Sequence, residues 1–207
     1  GSISECYTKG NVSSSASAAH AGGIVGENSA GGKVSDCYSD AVVDASGSNA
    51  YGAGIAGYNY GKVEHCYAAG DVTGYNVAGV CGYNSGVVAE LKGCVAANSN
   101  LSGSKQALRV IGGFSSDATA PGLTDNYAVS DMMVSVNGVP QTIYDDPLNG
   151  TAMPETELMK QVTYEALGWN FTDVWKIDEG TSYPYLPQFA VYVSGITLDK
   201  TEAELMR

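Results

Sequence analysis

Cationic side chains are scarce in this 207-residue chain: ten Lys and Arg stand against 22 Asp and Glu, giving a formal net charge of −12. A surplus of acid of that size repels nucleic-acid phosphates and anionic lipid, so neither is expected as a partner. Long apolar runs are missing as well. Nothing approaches the roughly 20 residues a membrane span requires, so no membrane insertion is expected of this stretch. The opening GSISECYTKG has neither the basic nor the apolar region of a signal peptide, and a targeting signal is expected to lie elsewhere. Histidine occurs only as His20 and His65, which leaves little with which to build a nucleophile–base pair. The five cysteines contain no C-x-x-C pair, so a structural zinc site is not expected. No EF-hand or nonapeptide calcium pattern is present, and no cofactor is implied.

Glycine and tyrosine, by contrast, are plentiful at 27 and 14 residues. Glycine weakens helices, whereas Tyr, Val and Ile suit a pleated, half-buried surface, so the composition points to β structure. Laid against itself, the chain aligns GGIVGENSAGGKVSDCYSDAVV from Gly22, GAGIAGYNYGKVEHCYAAGDV from Gly52 and VAGVCGYNSGVVAELKGCVAAN from Val77. A broken copy, ISECYTKGNV, opens the chain, and a degenerate copy runs from RVIGGF at Arg109 to TDNYAVS at Thr124. Anchored on Cys6, Cys37, Cys66, Cys94 and Asn126, the steps are 31, 29, 28 and 32 residues. These steps are shorter than propeller blades or helical-pair repeats, and each unit alternates short apolar runs with Gly, Asn and Ser. No unit can bury its apolar face alone, so coils must stack like on like. The expected fold is all-β, a right-handed parallel β-helix of about 30-residue repeats with a small helix-containing C-terminal cap; the hand is taken from the commonest type.

The expected domains are the repeats over residues 1–130, a hairpin, helix and aromatic cap over 131–190, and a linker or truncated module over 191–207. The residues before the Cys column are Glu5, Asp36, His65, Gly93 and Asp125; Asp, His and Gly share tolerance of left-handed backbone, which predicts a sharp bend there rather than a metal site. Cys6, Cys37, Cys66 and Cys94 are expected to form a ladder of free thiols, because stacked side chains pointing one way suit the disulfide dihedral poorly. Cys81 falls at the position of Val25 and Ala56. Asn137-Gly138 predicts a two-residue hairpin, and Asp145-Asp146 a solvated acidic loop. The stretch Pro154 to Leu167 predicts one amphipathic helix with Leu158, Met159, Val162 and Ala166 on its buried side. Trp169, Phe171, Trp175, Tyr183 and Tyr185 are expected to shield the last coil.

The pattern G-[IV]-x-G-x-N, then G-x-V, then C-Y-A resembles the GLUG repeat of bacterial surface proteins. Gly23 to Asn28 with Cys37-Tyr38, Gly54 to Asn59 with Cys66-Tyr67-Ala68, and Gly79 to Asn84 carry the likeness. Cys94-Val95 departs from it, as does Asn126 in place of Cys. Similar repeats occur in adhesin-like proteins and in non-catalytic parts of bacterial immunoglobulin A proteases. The resemblance therefore implies an extracellular, cell-surface location and no catalytic residues. The segment from Leu167 to Pro187 resembles the piece that closes such arrays, and VYVSGITLDKTEAEL is similar to the first strand of a bacterial Ig-like module.

With the Cys column facing inward, the adjacent tyrosines face outward by strand alternation. Tyr38 and Tyr67, with Tyr58 and Tyr83, are then expected to form a self-stabilising ladder of rings, the alternative being a ligand-contact face that stacks on sugars. His65 sits in the turn column and His20 in a Ser/Ala-rich loop, and the acids do not stack into a cluster: Asp40 aligns with Ala69 and Asp36 with His65. The expected function is a non-catalytic structural or adhesive module contacting a host or matrix glycan or protein. The alternative is a β-helix lyase or hydrolase acting on polysaccharide. A repeat cut open at the N-terminus is also expected to favour end-to-end self-association.

Overall fold

The structure, a computed structural model, describes residues 1–115 and 122–189. The proposed Ig-like start lies outside the described residues. Successive repeats wind into a parallel β-solenoid in which equivalent strands stack coil upon coil. One sheet stacks Ser2–Ser4, Lys33–Ser35, Lys62–Glu64, Glu90–Lys92 and Leu123–Thr124. A second, larger sheet is built from strands such as Tyr7–Ser14, Tyr38–Ala45, Val72–Ala78 and Asn100–Leu108. A third, of Val25–Asn28, Ala56–Asn59 and Cys81–Asn84, closes the coil.

The register puts like on like, as expected of a core that no single unit could form. Ile3, Val34, Val63, Leu91 and Leu123 make one interior column, and Val12, Val43, Val72, Leu101 and Val134 another. Cys81 pairs with Ala56, which pairs with Val25, and the column continues into the buried Ile111. All five cysteines are free, and all but Cys6 are buried. Burial pushes the thiols of Cys66 and Cys81 upward, that of Cys81 to about 12. A buried, protonated thiol is a small hydrophobe here and a poor nucleophile.

The corner between the first two sheets is a column of left-handed residues: Glu5, Asp36, His65, Gly93 and Asp125 have φ of 52°, 53°, 51°, 60° and 57°. Short polar side chains and glycine tolerate this region, and the bend carries the chain from one sheet into the next. The hairpin forms where expected, with Met133–Val136 antiparallel to Val139–Pro140 and Asn137 and Gly138 both at positive φ.

A polar ladder runs through the interior. Asn28 Nδ2 donates to Asn59 Oδ1 at 2.7 Å, and Asn59 Nδ2 donates to Asn84 Oδ1 at 2.7 Å. The spare amide capacity satisfies backbone carbonyls at the bend, including those of Gly61, Lys62 and Glu90. A buried amide needs such partners, and each Asn supplies them to its neighbour.

Three expectations are corrected. The single helix is two short ones, Glu155–Leu158 and Gln161–Glu165, broken at Lys160, whose backbone is extended. Val162 and Ala166 lie exposed, while Thr163 and Tyr164 are buried. The Tyr164 hydroxyl donates to Leu158 O and the Thr163 hydroxyl to Glu157 O, and these bonds fold the second turn back on the first. The acidic pair is structural rather than merely solvated. Asp145 binds the buried Arg109 guanidinium at 2.8 Å and accepts from Ala152 N, and Asp146 caps Leu148 N and Asn149 N. Arg109 beside Asp145 holds that carboxyl below its ordinary range. Finally, the aromatic segment does not sit on the last coil alone. It runs along the flank of the solenoid, from Trp169 on Gly93 through Trp175 on Asp36 to Gln188 on Glu5.

Candidate ligand-contact face

Two tyrosine columns come from the repeat, and the tertiary structure treats them oppositely. The first follows the Cys column: Tyr7, Tyr38, Tyr67, Val95 and Tyr127 are in register. The rings stack, Tyr7 on Tyr38 at 4.3 Å and Tyr38 on Tyr67 at 5.1 Å. They point away from the Cys column as alternation requires. The aromatic flank segment then covers them: Trp175 lies 6.1 Å from Tyr38 and 6.2 Å from Tyr67, and Tyr183 lies 6.0 Å from Tyr67. Tyr38 and Tyr67 are therefore only 8% and 4% exposed, and they are not part of an open face. This corrects the ligand-contact reading of those two residues, since facing out of the coil is not the same as facing water.

Covering these phenols shifts their ionisation. Burial, helped by the neighbouring Tyr7 and the Asp40 charge, pushes Tyr38 from 10.0 up to about 12. Burial likewise holds Tyr67 and Tyr164 well above 10.0. The unfolded chain ionises these groups near 10.0 while the folded chain keeps them neutral, so their contribution to stability is complete below pH 10.0 and is lost as pH rises, that of Tyr38 through about 12. A steep alkaline unfolding transition in that window is expected by circular dichroism. Flat stability across it would mean that the flank segment leaves the column wet.

The second column lies on the third sheet, where Glu27, Tyr58 and Tyr83 are in register. Tyr58 and Tyr83 are half-buried. Sequence reasoning missed their neighbours. His20 is not in a loop but begins the strand His20–Gly22, in register with Tyr51. The signal was available, because 51 − 20 gives the same 31-residue step as Cys6 to Cys37. The His20 ring rests 4.5 Å from Tyr58, Tyr83 lies 5.0 Å from both Tyr58 and Tyr51, and Tyr60 lies 4.7 Å from Tyr58. Glu27 Oε2 stands 3.3 Å from His20 Nδ1. The result is a half-exposed cluster of four phenols, one imidazole and one carboxylate.

Other polar groups are engaged singly. His65 faces Asp36 at 3.8 Å, Lys33 pairs with Glu64, and Lys62 pairs with Glu90 at 3.0 Å. Among the described residues, no three His, Cys, Asp or Glu side chains are grouped to hold a metal ion, and no helix is long and apolar enough to cross a membrane.

Comparison with known proteins agrees with this architecture. No curated protein is significantly similar to the chain. Among solved structures, a Bacteroides ovatus protein provisionally named an immunoglobulin A1 protease is similar, with 27% identity and a TM-score of 0.65. The match covers 90% of this chain but 57% of that one, so this chain spans little more than half of its length. Residues 17–44 and 48–73 each match the GLUG motif, and the solenoid stacks these two copies directly on one another.

Proposed function

We propose that the chain is a non-catalytic repeat module of a secreted bacterial surface protein, a rod that holds neighbouring parts in place and takes a host or matrix ligand on its open flank. The observation that carries this reading is the asymmetry of the two tyrosine columns. One is sealed by Trp169, Trp175 and Tyr183, while the other, Tyr58 and Tyr83 with Tyr51 and Tyr60, is left half-exposed. A stack of near-identical coils is also a stiff scaffold whose surface features recur in register. The GLUG motif and the cell-surface setting it implies support the location.

The name of the similar Bacteroides ovatus structure favours a second reading, in which the chain takes part in cleavage of immunoglobulin A1. Polysaccharide cleavage by a β-helix enzyme is the other catalytic alternative. Against both, the acids of adjacent coils are engaged one by one and the buried thiols of Cys66 and Cys81 are held protonated. The test is to incubate the full chain with immunoglobulin A1 and with neutral and acidic polysaccharides, and in parallel to probe an array of host glycans and matrix proteins. No new fragments or reducing ends, together with saturable binding to one class, are expected. Turnover of any of these substrates would overturn the non-catalytic reading.

A further inference from the structure

The open column has a chemistry and a spacing that select among ligands. Glu27, Tyr58 and Tyr83 present one side chain per coil along the solenoid axis, and coils in a parallel stack are about 4.8 Å apart. That repeat is close to the length of one pyranose in an extended, β-linked chain. The rings lean on one another at 31–35° rather than lying flat, and Tyr58, Tyr60 and Tyr83 are each half-buried, so part of each side chain meets solvent. The hydroxyl ends of Tyr51, Tyr60 and Tyr83 lie at the surface, and those of Tyr51 and Tyr83 have no hydrogen-bond partner among the described residues. His20 and Glu27 close one end of the row with a further donor and a charged acceptor.

A ligand for this row must be amphipathic and hydroxyl-rich, with C–H surface for the rings and hydroxyls for the phenols. It must also carry no negative charge, because the chain bears −12 and a carboxylate lies in the row itself. Anionic glycans fail the second condition, and a neutral peptide lacks the regular sugar-length repeat that the coil spacing matches. We infer that the Glu27–Tyr58–Tyr83 row, with His20, Tyr51 and Tyr60, is a binding site for a neutral, extended β-linked glycan lying along the solenoid axis, one sugar per coil. This deepens the open-flank reading and rests on it.

The experiment is a calorimetric titration of the full chain with cellohexaose and chitohexaose, and with hexagalacturonate as the anionic counterpart. At least one neutral hexamer is expected to bind saturably, and the anionic one not at all. Tyr58→Ala with Tyr83→Ala should weaken binding at least about tenfold, whereas Tyr144→Ala, an exposed tyrosine outside the row, should leave it unchanged. If the double alanine variant unfolds, Tyr58→Phe with Tyr83→Phe keeps the rings and removes the hydroxyls, and a several-fold loss is expected from it. The site falls if neither neutral hexamer binds, if hexagalacturonate binds as well, or if a folded double variant binds like the parent. Silence of both neutral hexamers beside capture of a matrix protein on another surface would sink the glycan site but leave the module reading standing. Cleavage of a bound hexamer would do the reverse.

Discussion

Replacing Trp175 with alanine is expected to lower the unfolding free energy by about 3–5 kcal/mol, the range for deleting a large aromatic from a core. Trp175 has no exposed surface. Its ring packs 4.5 Å from Trp169 and faces both Tyr38 and Tyr67, and its indole N–H donates to Asp36 Oδ1 at 3.3 Å. Truncation therefore opens a cavity and strips a donor from the turn column. The flank segment keeps its other anchors on the solenoid, Trp169 on Gly93 O and Tyr67, Tyr183 on Tyr67, Gln188 on Glu5 O and Phe189 near Tyr7, but with its central ring gone it is expected to loosen before the coils melt. Denaturant unfolding gives the total loss, and amide exchange locates it in residues 155–189. A loss below about 1 kcal/mol would mean that the flank segment is not part of the cooperative unit.

Asn59→Ala should cost on the order of 4 kcal/mol although it removes only a small side chain. The amide is fully buried and holds five hydrogen bonds: it donates to Asn84, Gly61 and Glu90 and accepts from Asn28 and Gly61 N. Asn28 keeps Lys62 O as a second acceptor, but Gly61 N and Asn84 Oδ1 lose the partner this residue gives them. Each buried polar group left unpaired costs about 1–3 kcal/mol. Asn11→Ala, on an exposed strand position, is the control and should shift stability by less than about 0.5 kcal/mol. Equal melting temperatures for the two variants would show that the ladder contributes nothing.

The repeat-derived features were legible because a periodic sequence reports what every coil has in common. Left-handed backbone at the turn favours Asp, His or Gly, and the alignment places those there in every coil but the first, which has Glu5. The thiol ladder and the apolar position of Cys81 follow from the same register. Asn28, Asn59 and Asn84 were visible as a motif position, but their ladder was not. An alignment marks a recurring polar residue without saying whether it faces water or another amide. The helix was misjudged because side-chain bonds from Thr163 and Tyr164 to Glu157 and Leu158 override a helical period. Asp145 read as solvated because its partner, Arg109, stands 36 residues away in sequence.

The sequence by itself determined the β-solenoid and its coil register, since both follow from a repeat; strand alternation aims the tyrosines outward only once the Cys column is known to face in, and the fold decided that. Only the tertiary structure decided which column meets water. The segment that seals Tyr38 and Tyr67 is not repeated, and its anchors lie far away in sequence, Trp169 on Gly93 and Trp175 on Asp36. Burial depends on what packs against a side chain as well as on the direction it points, and a chain's own periodicity carries only the second.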